Sequence, residues 1–161
     1  MQLFFQEKFL SGKMVISDME GNTVYTGKKH WFWGDIRLKD TNKKKVAKII
    51  ERSGLFNKGF YIFEGRKKIA KIKRKFSLIN QKFSVGKLGW EITGNFVAKE
   101  YTVKNGEEVI ATIKRNKLLA VTEGYTVDIP NEENAVKVIC VVLVLNTILG
   151  RQKGKLLKKV V

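Results

Sequence analysis

At 161 residues, with 43% hydrophobic and 11% aromatic side chains, the chain is long enough to bury one sizeable core and too rich in aromatics to be disordered. Its formal charge of +17, from 32 Lys and Arg against 15 Asp and Glu, points to phosphate-bearing partners or to a lysine surface that serves solubility. One cysteine, Cys140, cannot form an internal disulfide, and together with one histidine, His30, it leaves no zinc constellation to read.

In chain order, the stretch from Met1 to Phe9 carries Glu7 and Lys8 and lacks a basic segment followed by an apolar core. No secretory signal is read there, and a cytoplasmic location is expected. From Met14 onward a strand-and-turn pattern recurs six times, beginning at Met14, Ile36, Phe60, Phe83, Tyr101 and Tyr125, at intervals of 18 to 24 residues. The better-preserved units turn at Asp18-Met19-Glu20-Gly21-Asn22, Asp40-Thr41-Asn42-Lys43, Glu64-Gly65-Arg66-Lys67 and Asn105-Gly106-Glu107. Acidic or Asn residues beside Gly supply the positive φ and the local hydrogen bonds of a tight hairpin.

The second strand of a unit reads Val46 to Arg52, Ile69 to Lys75 or Ile110 to Arg115. With a side-chain period of two, Ala70 and Ile72 take one face while Lys71, Lys73 and Lys75 take the other. Six such hairpins give about twelve antiparallel strands, for which closure removes the exposed edges of an open sheet. The expected fold is mainly β, a closed antiparallel barrel, forming a single domain over residues 1–150.

After the sixth strand, Pro130-Asn131-Glu132-Glu133 reads as a helix start, and a helix is expected over 132–149 with Gly150 as its stop and 151–161 as a basic tail. The helix is apolar on nearly every side, which suits a membrane or the centre of a fold. Its unbroken apolar stretch, Val138 to Leu145, is short of the roughly 20 residues of a span, and a wide barrel needs its interior filled. The helix is therefore expected as the barrel's plug. A membrane-engaged helix stays open as the alternative, because Arg151, Lys153, Lys155, Lys158 and Lys159 follow it as in a juxtamembrane segment.

These features together resemble the LURP-one-related family, in the form of its prokaryotic members, whose fold looks like the tubby C-terminal domain and the phospholipid scramblases. The resemblance spans essentially the whole chain. It rests on the run from Lys8 to Tyr25, on Ile69 to Leu78, on Trp90 to Phe96 and on the final apolar helix. It implies a twelve-stranded barrel around a central helix, and by fold analogy phosphoinositide or lipid contact through basic residues. Fold alone does not fix function.

No catalytic residues are assigned. His30 would have to serve any Ser-His-Asp or Cys-His arrangement, and no nucleophile turn accompanies it. Asp18 to Asn22 lacks the ligand spacing of a calcium loop, and Gly86-Lys87-Leu88-Gly89 lacks the Lys-Ser/Thr of a phosphate loop. A non-enzyme without metal or cofactor is expected. Lys29-His30-Trp31-Phe32-Trp33 could insert at a membrane interface or stack on bases, or serve as hairpin-corner core. The candidate anion- or lipid-binding residues are Lys71, Lys73, Arg74, Lys75, Lys114, Arg115, Arg151, Lys153 and Lys155, with ordinary solvated surface as the competing account. A monomeric domain engaging anionic phospholipid, peripherally at the membrane, is the leading expectation. Nucleic-acid binding or a protein-interaction role are the alternatives.

Overall fold

The computed structural model describes residues 1–8, 12–30, 34–55, 58–75, 82–95, 98–116 and 124–160, with the backbone alone described at Lys8, Arg74, Lys75 and 151–160. Twelve strands form one closed antiparallel barrel in which each strand pairs with its neighbours in sequence and β12 closes on β1. They are β1 (Gln2–Lys8), β2 (Lys13–Ser17), β3 (Thr23–His30), β4 (Asp35–Asp40), β5 (Lys45–Arg52), β6 (Gly59–Glu64), β7 (Lys67–Lys75), β8 (Lys82–Gly86), β9 (Trp90–Asn95), β10 (Glu100–Asn105), β11 (Glu108–Asn116) and β12 (Gly124–Asp128).

Five of the six repeat units are local hairpins, and their turns follow the chemistry of their residues. Asp18 accepts from the backbone N–H groups of Glu20 (3.0 Å) and Asn22 (2.8 Å), and Asp40 accepts from that of Lys44 (2.9 Å). In the second of these turns Lys43 holds φ of 62°, a conformation more often given to glycine. Just before the turn, β2–β3, β4–β5, β6–β7 and β10–β11 each shift register. Such bulges raise the local twist that a sheet needs to curl shut.

The sixth unit differs from the other five. Tyr125 opens β12, but a helix follows it, and its antiparallel partner is β1, with Leu3 opposite Val127 and Phe5 opposite Tyr125. The Met1 ammonium donates to the Ile129 carbonyl at 2.8 Å and Gln2 Nε2 donates to Asp128 Oδ1 at 2.6 Å. The twelfth strand of the barrel is thus supplied by the aromatic N-terminal stretch.

Antiparallel order divides the barrel into two ends. The turns between β2 and β3, β4 and β5, β6 and β7, β8 and β9, and β10 and β11 lie at one end, with Met1 and the entry of the helix. The helix runs back through the interior and leaves at the other. Asn131 accepts from the Glu133 N–H at 3.0 Å and caps a 3-10 turn, Glu132–Asn134, which leads into α1 (Ala135–Val160).

Inside, the wall alternates large and small residues: Met14 faces Gly27, Leu38 faces Ala47, Ile62 faces Ala70 and Val103 faces Ala111 across adjacent strands. The small member lies in each case on the second strand of a hairpin and makes room for the helix. Every residue from Val138 to Leu145 is at most 4% exposed. The segment Glu132–Gly150 is long and apolar enough to cross a membrane by composition, yet here it is the core of the barrel.

The helix departs from the range expected for it. Glu132–Asn134 is a 3-10 turn, and α1 continues through Gly150 to Val160 rather than stopping. A glycine ends a helix when it adopts the left-handed conformation; Gly150 is not among the glycines with positive φ. Within a helix it costs about 1 kcal/mol relative to alanine, a deficit that the Lys, Leu and Gln residues following it can offset.

Candidate functional site

The candidate residues of β7 are set by the strand's alternation. Ala70 and Ile72 are buried against the helix, Lys71 is half-buried and Lys73 is exposed on the outside. Lys71 lies opposite Tyr61 of β6, which lies opposite Ile50 of β5, and this outer row brings together cations from two strands. Lys71 Nζ stands 4.6 Å from the Tyr61 ring centroid, the Arg52 guanidinium 5.1 Å and Lys68 Nζ 5.4 Å. Tyr61 faces outward yet is only 5% exposed, because these long side chains lie over it. The hydrogen bond with Lys71 is the main cause of a Tyr61 pKa below the ordinary phenol value, with the charges of Lys71, Arg52 and Lys68 adding to it.

Beside this cluster, Asp35 of β4 is 2% exposed and paired with Arg37 at 3.0 Å and Lys48 at 3.4 Å. Burial, the largest single influence, works against its ionisation, but the hydrogen bonds and charges of Arg37 and Lys48 together hold its pKa below the usual carboxylate value. Its Oδ1 is buried with no hydrogen-bond partner among the described residues.

The remaining candidates lie toward the end of the barrel where the helix leaves. Lys114 and Arg115 are both exposed near the end of β11, but three strands separate β11 from β7. Successive residues also take opposite faces. Lys114 lies on the outer side, whereas Arg115 continues the core-facing side beyond Ile113 and pairs in register with Tyr125. Arg151, Lys153 and Lys155 lie on α1 beyond Leu149, past the point where it leaves the barrel. The backbone of Arg74 and Lys75 ends β7 at this same rim. Lys71, by contrast, is at the middle of β7, opposite Gly86 at the β8–β9 turn, so the nine candidates share neither the helix-exit end nor one outer face. Of the aromatic cluster after His30, residues 31–33 lie outside the described residues, as do Phe9 to Ser11, Phe76 to Leu78, Phe96 and Lys117.

That end also holds a cavity of about 510 Å³ between α1 and strands β1 to β4. Among the described residues it is lined by Met14, Ile36 and Leu143 and by Glu7, Lys13, Lys29, Asn146 and Thr147, with Lys13 on the outer row opposite Lys28 and Met14 facing inward opposite Gly27. Asn146 Nδ2 donates to Glu7 Oε2 at 3.2 Å, and the Tyr125 hydroxyl donates to Asn146 Oδ1 at 3.5 Å. A smaller recess of about 220 Å³ at the hairpin end has one acid, Glu91, and one base, Lys104.

Sequence reasoning did not find Arg52, Lys68 and Tyr61 as a unit, nor the cavity. Asn146 interrupting an apolar helix was the available signal for the cavity, since a polar side chain at the end of a buried stretch needs a partner. Among the described residues no group of three or more His, Cys, Asp or Glu side chains could hold a metal ion. Cys140 is fully buried and its thiol pKa is pushed up by burial, with the Glu64 charge adding to the effect. That is the setting of an inert core thiol.

Comparison with known proteins agrees with this architecture. The sequence model of the LURP-one-related family matches residues 1–146. The uncharacterized protein YxjI of Bacillus subtilis (strain 168) is 24% identical over 152 residues, covering 92% of this chain and 93% of that protein. An X-ray structure of an Arabidopsis thaliana protein superposes with a TM-score of 0.67 at 16% identity over 91% of each chain, a likeness of fold.

Proposed function

The chain belongs to the LURP-one-related family, and from that premise we propose that it is a non-enzymatic binding domain that engages anionic phospholipid at a membrane surface. The observation that carries this reading is the cationic roof of Arg52, Lys68 and Lys71 over Tyr61, with Lys73 exposed beside it. Three cations held over one ring lose less side-chain freedom on meeting a phosphate than three free lysines would.

The last residues of β7 and β11 and the basic residues of α1 lie toward the end where the helix leaves. The roof over Tyr61 lies lower on the wall, with Lys71 at the middle of β7 and Lys68 near its turn, so an anionic surface would meet that side of the barrel as well as its end. Electrostatic attraction of this kind is worth about 1 kcal/mol per basic residue near an anionic leaflet. At the same end Leu55 is 97% exposed, and the sequence run Trp31-Phe32-Trp33, which lies outside the described residues, is of the type enriched at membrane interfaces. On this reading the protein is a cytoplasmic monomer that meets the membrane peripherally. Nucleic acid would find the same charge, but Tyr61 is covered by its cations and offers no open face for a base to stack on.

The test is co-sedimentation with neutral and acidic vesicles across a salt series, with a duplex oligonucleotide as competitor. Binding to acidic vesicles alone, lost with salt and kept against the competitor, is the expected result. Relief by the oligonucleotide would shift the reading to nucleic acid. No sedimentation with acidic vesicles at low salt would end it.

A further inference from the structure

The outer wall from β2 to β5 breaks a rule that the far wall keeps. Lys13 of β2 lies directly opposite Lys28 of β3, Lys28 opposite Arg37 of β4, and Arg37 opposite Lys48 of β5. Like charges directly opposite each other in a sheet are destabilising. On the far wall one outer row runs through Thr93, Thr102 and Thr112 of β9, β10 and β11, and in the next Glu91 lies opposite Lys104. Those are pairings that stabilise a sheet. The positive charge is therefore not an even coat, and solubility alone would be served as well by both signs interspersed.

Two of the four cations are already held in place. Asp35, on the neighbouring outer row, receives Arg37 Nε at 3.0 Å and Lys48 Nζ at 3.4 Å, which occupies one of the several donors of the guanidinium. Lys13 and Lys28 have no acid within ion-pair distance among the described residues. By alternation Asp35 is the one acid on the outer side of these four strands, and Lys39 and Lys45, paired in register and both exposed, add further positive charge. The row also has a shape. It crosses strands, so it runs round the barrel, and three of the twelve strand-to-strand steps carry it over a quarter of the circumference. At the usual strand spacing its length is about 14 Å. A plane touching its middle would lose its ends to the curvature, whereas a flexible chain can follow it. Bases would have no platform, because among the described residues no Phe, Tyr or Trp of β2 to β5 points outward; Tyr25 packs against the core.

We propose that Lys13, Lys28, Arg37 and Lys48 bind a linear polyphosphate, a flexible chain with an anionic phosphate at each repeat and no base, laid across β2 to β5. Its oxygens accept charge-assisted hydrogen bonds from the ammonium and guanidinium groups, and its charge removes the repulsion between them. The site is separate from the cations over Tyr61. It does not depend on the vesicle reading, because polyphosphate is soluble and meets the row without a membrane.

The full chain is titrated calorimetrically across a salt series with sodium polyphosphate long enough to cover the row, with triphosphate, and with oligothymidylate matched in charge to the polyphosphate. Saturable binding of polyphosphate is expected, with triphosphate and oligothymidylate each weaker by about tenfold or more. Affinity should fall as salt rises, because bound counterions are released. Lys13→Gln with Lys28→Gln is expected to weaken polyphosphate binding at least about tenfold and to flatten the salt dependence by about one unit of slope for each lysine. The fold should be retained in near-ultraviolet circular dichroism, since the change relieves like-charge contacts. Lys104→Gln with Lys114→Gln removes the same charge from the far wall and should leave the titration within about twofold of the parent.

Absence of saturable polyphosphate binding at low salt overturns the proposal, as does an equal loss in the two double variants, which would show charge without a site. Triphosphate bound as tightly as the polymer overturns the four-strand row. Oligothymidylate bound as tightly overturns the assignment to polyphosphate in favour of nucleic acid. Both double variants keep Arg52, Lys68 and Lys71, so vesicle binding through the Tyr61 cluster and polyphosphate binding at the row fail separately.

Discussion

Lys48 reaches from β5 to place its ammonium 3.4 Å from the carboxylate of Asp35 on β4, a side chain only 2% exposed. This pair, completed by Arg37, sits on the outside of the barrel and yet is shielded by its own partners. Lys48 and Arg37 are themselves 34% and 39% exposed, so solvent screens much of their attraction.

Asp35→Asn is expected to lower stability at neutral pH by about 1–2 kcal/mol, since it removes the charge from a buried, hydrogen-bonded position while the cations can turn to water. The pH dependence has a definite sign. The folded pKa of Asp35 lies below the ordinary carboxylate value, so its contribution is present above the unfolded pKa and is lost as pH falls through the depressed folded one. Urea unfolding between neutral pH and strong acid should show a steeper acid loss in the parent than in Asp35→Asn. Parallel curves would contradict the assignment.

Tyr61 and Tyr101 should titrate in a set order. Tyr61 ionises below the ordinary phenol value because of Lys71 and its neighbours, whereas burial pushes Tyr101 up to about 12. Tyr61→Phe should remove a step below the ordinary phenol range from the phenolate absorbance titration, and Tyr101→Phe a step near pH 12. Lys71→Gln should move the Tyr61 step to higher pH.

Gly27→Val is expected to destabilise by about 1–3 kcal/mol, the cost of overpacking a core, because even its Cβ would stand 3.0 Å from Leu143 Cδ2. Leu143→Ala in the same chain should recover part of that loss. A double-mutant cycle measures the coupling, and additivity of the two changes would show that the residues do not meet.

At Gly94 a different constraint acts. Its φ is 151° and a Cβ there would clash with the Glu100 carbonyl oxygen, on backbone that cannot swing aside. Gly94→Ala should destabilise by more than about 2 kcal/mol. Gly54→Ala, where nothing lies within 4 Å, should stay within about 0.5 kcal/mol of the parent. Thermal unfolding of the two variants compares them directly.

The hairpins were legible because their information is local. Asp18 and Asp40 bond to backbone within four residues, and period-two alternation separates Ala70 and Ile72 from Lys71. The partner of β12 was not legible, because Phe5 and Tyr125 are joined by register alone, with no turn between them. The end of the helix was misread at Gly150, since a glycine's effect depends on the conformation that the following residues impose. The Tyr61 cluster needed the relative register of β5, β6 and β7, which no single strand records. The separation of Lys114 from Arg115 was legible by the same alternation that sorted β7, and the grouping of the two as one patch overlooked it.

Every strand of the barrel precedes, in the chain, the helix that fills it. During synthesis the hairpins can form one by one as they emerge, but each has only a partial core to pack against until residues 135–149 follow. The wall also closes through β1 and β12, the pair most distant in sequence, and contacts of such long range slow folding. The nascent chain thus carries unsealed strand edges and an apolar inner face until residues 135–149 have been made. A delay in translation just before residue 135 should expose it to aggregation more than an equal delay after residue 149.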